Sequence, residues 1–328
     1  MNTVKENQSY FSKLGIRFFL GSVIIYLAQI CVIRGFCYFA PDFYMKYQFV
    51  ISMLPMYVIA IPIMIFLIKQ LPAQEVKEKK KMKGLTFLCF FLIAYAGMYL
   101  SNILGNILAA LIGAIKGSGV TNGILNIATT NNLFVNFVIM VICAPIIEEF
   151  IFRKLLIDRT RQYGDKIAIL LSGLLFGFFH GNIYQFCYAF VMGLIFAYVY
   201  ITYNDVKYAI FLHMIINFFG SILGILVLKL SGFSEIAAVA NDPNAVMEVM
   251  MEHLSGLLIF LVYFIFIIGM VIAGIVIFLV NRKKITLNQG TLEIAKGETF
   301  KTIVLNPGMG LFFLFWTVAI IYYTVIPA

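Results

Sequence analysis

The chain has 328 residues, of which 62% are hydrophobic and 12% charged, with a formal net charge of +9. A soluble domain carries about 45–50% apolar and about 25% charged residues. This composition, with a mean hydropathy of +0.98, excludes a soluble globular enzyme, a disordered tail, a collagen and a secreted disulfide scaffold.

What remains is an all-α, polytopic transmembrane helical bundle. The apolar stretches are long continuous runs, which argues against a β-barrel. Crossing the hydrocarbon core takes about 20 apolar residues in a helix. The candidate spans are Leu14–Ile33, Tyr47–Ile68, Leu85–Ile115, Leu133–Leu156, Ile167–His180, Ile183–Tyr203, Tyr208–Leu230, Leu254–Val280 and Gly310–Ile326, so eight to nine crossings are expected. The third is too long for one upright span and must tilt, kink or protrude, with Gly97, Gly105 and Gly113 as candidate kinks. The fifth is short and ends in His180-Gly181-Asn182. The ninth is also short. The first span lacks a convincing small-x-small cleavage site and reads as a retained anchor.

With a cytoplasmic N-terminus, 20 of the 24 lysines and arginines fall on the cytoplasmic side. Only Arg34, Lys46, Lys116 and Lys229 are left outside, and the loop after Leu230 is acidic. This distribution predicts N-in topology. Because the basic residues sit in short loops between spans, they predict contact with anionic lipid headgroups and not with nucleic acid. The lysine run at Lys77–Lys83 is one such loop. The five cysteines include no CxxC pair, which fits small packing residues. Residues 281–307 form the only sizeable polar stretch, and their Thr, Ile, Leu and Val content with Gly290 and Gly297 predicts a small cytoplasmic hairpin. The organisation expected is N-terminal transmembrane helices at 1–131, a helical core at 132–230, and C-terminal helices with this segment at 231–328.

Most acidic residues lie in loops, but Glu148 and Glu149 fall late in the fourth span. A carboxylate at membrane depth costs on the order of 3 kcal/mol on insertion scales and marks a functional site by default. Glu149 and Arg153 are four residues apart, share a helix face and are ordered favourably for an ion pair. Glu148 sits about 140° from Arg153 on the same wheel. Without that partner, and desolvated beside a second acid, Glu148 is the better general base. Pro145 frees a backbone carbonyl nearby. His213 and Asn217, at i and i+4, present donors to one volume, which suits an oxyanion. His180 follows Gly173-x-x-x-Gly177, a pattern that lets another helix approach closely. His253 sits at a span entrance and reads as interfacial. The bland alternative for each buried polar residue is helix–helix glue. By simple rise, Glu148 lies about 16 Å from Arg159, His180 about 21 Å past Lys166 and His213 about 9 Å past Lys207, so these depths meet only if helices tilt.

Glu148-Glu149-x-x-x-Arg153, then Phe176-x-x-x-His180, then His213-x-x-x-Asn217, on three successive membrane helices, resembles the CPBP intramembrane endopeptidases. These Abi-type proteins are relatives of the CAAX-processing Ras-converting enzyme and of bacteriocin-associated membrane proteins. The resemblance spans roughly residues 132–230 and implies an intramembrane protease with its site between the fourth, fifth and seventh spans. It implies Glu148 as the base that activates water, helped by His180. It further implies His213 and Asn217 as the oxyanion site, with Glu149 and Arg153 organising the first helix. The substrate implied is a membrane-associated peptide or protein, prenylated or leader-like, in a bacterial plasma membrane. No cofactor is favoured and a glutamic mechanism is preferred. Zinc is the alternative, with Glu148, His180 and His213 as ligands, although no HExxH is present. The competing functions are a non-catalytic scaffold or bacteriocin-immunity protein on the same fold, and a proton-coupled transporter, which the lack of an evident repeat disfavours.

Overall fold

The computed structural model describes residues 4–74, 78–120, 122 and 132–325; Lys77 of the lysine run lies outside them. The described residues form helices and no strand. Eight helices are long and apolar enough to cross a membrane. They are α1 (Val4–Phe39), α2 (Pro41–Lys69), α3 (Gly84–Lys116), α4 (Leu133–Tyr163), α6 (Ile183–Tyr203), α7 (Val206–Leu230), α10 (Leu254–Lys284) and α12 (Pro307–Val325). Between α4 and α6 lies the shorter α5 (Asp165–Phe179). Its 15 residues span about 23 Å against a core of about 30 Å, so a helix of this length ends inside the hydrocarbon region. The short helices are α8 (Phe233–Ala238), α9 (Pro243–Glu252) and α11 (Thr299–Ile303). The chain is an all-α integral membrane bundle.

Local sequence sets the helix ends. Pro41 occupies the first turn of α2, where its missing N–H costs nothing. Asn182 accepts the Gln185 N–H at 2.9 Å and starts α6. Asp205 accepts the Lys207 N–H at 3.2 Å and starts α7. Both side chains fill orphan donors of a first helical turn. Asn204, at φ 52°, ends α6 in the left-handed region, which asparagine tolerates.

Of the tilt, kink or protrusion expected for the third span, the kink at its glycines is not seen: α3 runs as one helix. The glycines serve close packing: Gly97 lies under Val191 and Ile195 of α6, and Gly105 under the carbonyls of Ile183 and Tyr184. The Gly173–Gly177 pair of α5 likewise admits Phe190 and Leu194 of α6. Two apolar clusters flank the middle of the bundle. One joins Phe11, Phe18, Met64, Phe152, Leu175 and Phe312 from α1, α2, α4, α5 and α12. The other joins Tyr95, Met192, Phe196 and Leu212 from α3, α6 and α7. Helices α4 to α7 run between the two.

The basic residues gather at one end of the bundle and bond the helices there. The Arg17 Nε donates to the Leu67 carbonyl at 2.9 Å, and the Arg159 Nε to that of Ile68 at 2.9 Å. Arg161 Nη1 donates to Asn204 Oδ1 at 2.7 Å. The expected hairpin at 281–307 is absent. Residues 285–298 follow an irregular path, because backbone groups at Asn288 and Leu292 bond to the α4–α5 corner and not across to a partner strand. The Asp165 N–H donates to the Asn288 carbonyl at 3.0 Å and the Leu292 N–H to the Gln162 carbonyl at 2.9 Å. The Asp165 carboxylate accepts the backbone and side-chain N–H of Asn288 at 2.9 and 2.7 Å. A Cβ on Gly290 would overlap the backbone of Gln162 and Tyr163, so glycine is required here for close approach and not for a turn.

Candidate active site

Helix α4 carries the two glutamates and is not regular. It contains π turns at Phe137–Cys143 and Phe150–Leu155, on either side of Ala144–Glu149. Such turns recur at functional sites. The first ends with the Ala144 N–H bonded to the Ile139 carbonyl, five residues back. In that register the next carbonyl, Met140, falls to the nitrogen of Pro145, which has no hydrogen. The Asn217 amide of α7 supplies the missing donor, at 2.8 Å from the Met140 oxygen. The carbonyl expected from Pro145 is therefore satisfied across a helix–helix contact.

One turn later, Glu149 and Arg153 are both fully buried. Arg153 Nη2 donates to Glu149 Oε1 at 3.0 Å, and its Nε lies 2.8 Å from Oε2. Arg153 Nη1 donates to Ser172 Oγ of α5 at 3.2 Å, and that hydroxyl donates to the Phe152 carbonyl at 2.8 Å. The guanidinium faces the rings of Phe176 and Phe196 at 4.5 and 5.7 Å. Ion pairing and aromatic faces together offset the loss of hydration. His213 of α7 completes the group, with Nδ1 donating to Glu149 Oε1 at 3.0 Å. A carboxylate already paired with arginine is an acceptor, so the proton of this contact belongs to Nδ1.

Glu148 differs from its neighbour. Its side chain keeps 22% exposure, and its nearest cationic partner is His213 Nε2, 3.9 Å from Oε2. That is beyond a hydrogen bond and leaves room for an intervening group. Tyr57 of α2 and Tyr188 of α6 stand within electrostatic reach of the Glu148 carboxyl.

His180 ends α5. Its Nδ1 donates to the Phe176 carbonyl at 2.8 Å, so the neutral ring keeps its lone pair on Nε2. Its ring meets Phe176 edge-on at 4.7 Å, and Phe176 also meets His213 at 5.9 Å. Gly181 follows at φ 65°, against the chain's single tryptophan: a Cβ there would lie 2.8 Å from Cζ3 of Trp316. Helix α12 thus backs the corner that carries His180.

The structure brings Glu148, Glu149, Arg153 and His213 into one cluster. His180 shares its aromatic wall, and Asn217 is joined to the same helix five residues before Pro145, at Met140. Sequence reasoning missed Ser172 and Phe196, whose polar or aromatic character is unremarkable in an apolar chain, and Tyr57 and Tyr188. The one signal for the latter was a hydroxyl within an apolar span. Of the three depths, those of the glutamates and His213 meet: Arg161 reaches Asn204 at one level while Glu149 meets His213 at another, over unequal numbers of residues. For zinc, no three His, Cys, Asp or Glu side chains among the described residues are grouped to hold a metal ion. His180 and His213 each spend Nδ1 on protein oxygens and keep Nε2 open, an arrangement that suits holding a water and equally suits a metal ligand.

Among curated proteins and solved structures nothing matches the chain. A family model does: residues 130–219 match the type II CAAX prenyl endopeptidase Rce1-like model. The matched segment runs from the start of α4 through Asn217 and holds every residue of the cluster. Over these residues, about a quarter of the chain, the sequence is similar to the Rce1-like type II CAAX prenyl endopeptidases.

Proposed function

We propose that the chain is an intramembrane endopeptidase of glutamic type, in which Glu148 activates the attacking water. The supporting observation is the unequal state of the two glutamates. Glu149 is fully buried and occupied by Arg153 and His213, whereas Glu148 is partly open and has no ion-pair partner within hydrogen-bond distance. Glu148 takes a proton from water as the water oxygen attacks the scissile carbonyl carbon. On collapse the C–N bond breaks and Glu148 returns the proton to the leaving amine. The lone pair on His180 Nε2 holds the water. The oxyanion faces His213 and Asn217. Because Nδ1 of His213 donates to Glu149, His213 can donate to the oxyanion from Nε2 only when both ring nitrogens carry a proton. One Asn217 N–H holds Met140, and the amide has a second for substrate.

The substrate is a membrane-associated peptide, prenylated or leader-like. The basic end of the bundle faces the cytoplasm and anionic headgroups, in a bacterial plasma membrane. Glu148→Gln is expected to lower cleavage at least about a hundredfold, the typical worth of a general base, while insertion and unfolding midpoint hold. Two readouts serve: a quenched fluorogenic peptide ending in a prenylated CAAX sequence, assayed in proteoliposomes, and comparison of membrane peptidomes from wild-type and Glu148→Gln cells. Full activity in the variant sinks the proposal, as does an unchanged phenotype for Glu148→Gln, His180→Ala and His213→Ala, which is the scaffold outcome. Activity survives a strong chelator; loss restored only by added zinc overturns the glutamic mechanism.

A further inference from the structure

We infer that the cleft between the first turns of α1 and the start of α12 binds a phosphate-bearing group at the membrane–water boundary. The cleft is about 280 Å³ and is lined on the α1 side by Lys5, Gln8, Ser9, Ser12 and Lys13. Lys5, Ser9 and Lys13 recur every four residues, so they form one stripe on the helix. Two ammonium groups therefore flank hydroxyl and amide groups, and no acidic side chain lines the space. Among the described residues neither lysine lies in an ion pair, and the nearby Glu298 is engaged by Lys301 at 3.2 Å.

The opposite wall is fixed in place. The Gly308 N–H donates to Ser12 Oγ at 3.1 Å. Asn306, nearly buried, accepts the Met309 N–H at 3.0 Å and donates to the carbonyls of Thr302 and Ile303. The backbones of Gly15 and Gly308 touch just beneath.

Position selects the ligand class. Just past Lys13, α1 presents the exposed apolar residues Ile16 and Leu20, a surface fit for hydrocarbon, which puts the cleft next to the level of lipid phosphates. Lys5 and Lys13 stand about 12 Å apart along α1, and their flexible side chains can converge on one anion over Ser9 by charge-assisted hydrogen bonds. A lipid phosphodiester and free phosphate share this chemistry. The inference is independent of peptide cleavage.

The test uses the full chain in detergent, with phosphatidylglycerol, phosphatidylcholine and inorganic phosphate as separate probes, read by native mass spectrometry. Lys5→Gln/Lys13→Gln is expected to weaken phosphatidylglycerol binding about tenfold, given the usual attraction per lysine near an anionic headgroup. Lys5→Arg/Lys13→Arg keeps the binding and shows that the site survives side-chain exchange. The equal-charge control Lys80→Gln/Lys81→Gln leaves it unchanged. Phosphatidylglycerol bound without inorganic phosphate assigns the site to lipid, and competition by inorganic phosphate assigns it to the free anion. Equal binding by wild type and Lys5→Gln/Lys13→Gln overturns the inference. So does an equal loss in the Lys80→Gln/Lys81→Gln control, which would mean that net charge and not the cleft does the binding.

Discussion

Arg153 is the most demanding residue in the bundle: a fully buried guanidinium at the centre of an apolar protein. Removing one member of a buried pair leaves the other charge uncompensated and costs about 3–5 kcal/mol, while replacing both with neutral groups often costs little. Arg153→Met is therefore expected to destabilise by about 3 kcal/mol, and Glu149→Gln/Arg153→Met to recover most of that loss without recovering cleavage. A double-mutant cycle on unfolding midpoints in detergent checks this; additive single effects would show that the two groups are not coupled. The partnership of Glu149 with Arg153 was legible because it is local, set by helical spacing. The contact with Ser172 and the aromatic faces of Phe176 and Phe196 was not, because α5 and α6 deliver them by tertiary packing. His213 lay between these cases: its membrane depth marked it, but its choice of Glu149 over Glu148 is fixed only when α7 crosses α4.

At the scale of the helix, the chemistry depends on the irregularity of α4. A π turn adds one residue to a turn, which is about 100° of rotation for everything after it. Relaxing Phe137–Cys143 to α-helix would carry Glu148 and Glu149 away from His213 of α7. Pro145 opposes that relaxation because in an α-helix its ring would clash with the carbonyl four residues back, and Asn217 holds the Met140 carbonyl that the π register leaves over. Asn217→Ala is expected to cost about 1–3 kcal/mol, the penalty of an unsatisfied buried carbonyl. In a Pro145→Ala background the same change costs less, since a backbone N–H becomes available to Met140. Pro145→Ala alone is expected to lower the rate of peptide cleavage without lowering the unfolding midpoint. Equal costs for Asn217→Ala in both backgrounds would remove the link between the proline and the amide. Pro145 and the His213–Asn217 spacing were visible in sequence, and the freed carbonyl followed from the proline. The π register was not visible, because it is a compromise between local hydrogen bonding and the position of α7. The third span shows the converse: its glycines read as kinks, but their role emerges only from the side chains and carbonyls of α6 that lie against them.

For the whole molecule, the matched core at 130–219 is enclosed by helices that carry none of the cluster yet hold it in place. Composition was enough for the class and nearly enough for the spans, since burial in lipid requires long apolar runs whatever the tertiary contacts. It failed at 285–298, where a β-like pattern of Thr, Ile and Leu has its hydrogen-bond partners more than 120 residues away in the α4–α5 corner. That corner matters because α4 leaves it toward Glu149 and α5 leaves it toward His180. Asp165 is nearly buried and is shared between Asn288 and Arg161, whose Nε donates to it at 2.9 Å. Hydrogen bonds to a charged group contribute about 1.5–3 kcal/mol. Asn288→Ala removes the side-chain bond but keeps the backbone one, so a loss at the lower end of that range is expected. The strap should then open more often than the bundle unfolds, so limited proteolysis within 285–298 should accelerate while the unfolding midpoint falls only slightly. Glu148-dependent cleavage should persist, because Arg161 continues to hold Asp165 and the corner stays closed. A proteolysis rate unchanged by Asn288→Ala would mean that the strap is held by Leu292, Ile294 and their apolar contacts, with the Asp165 carboxylate serving Arg161 alone.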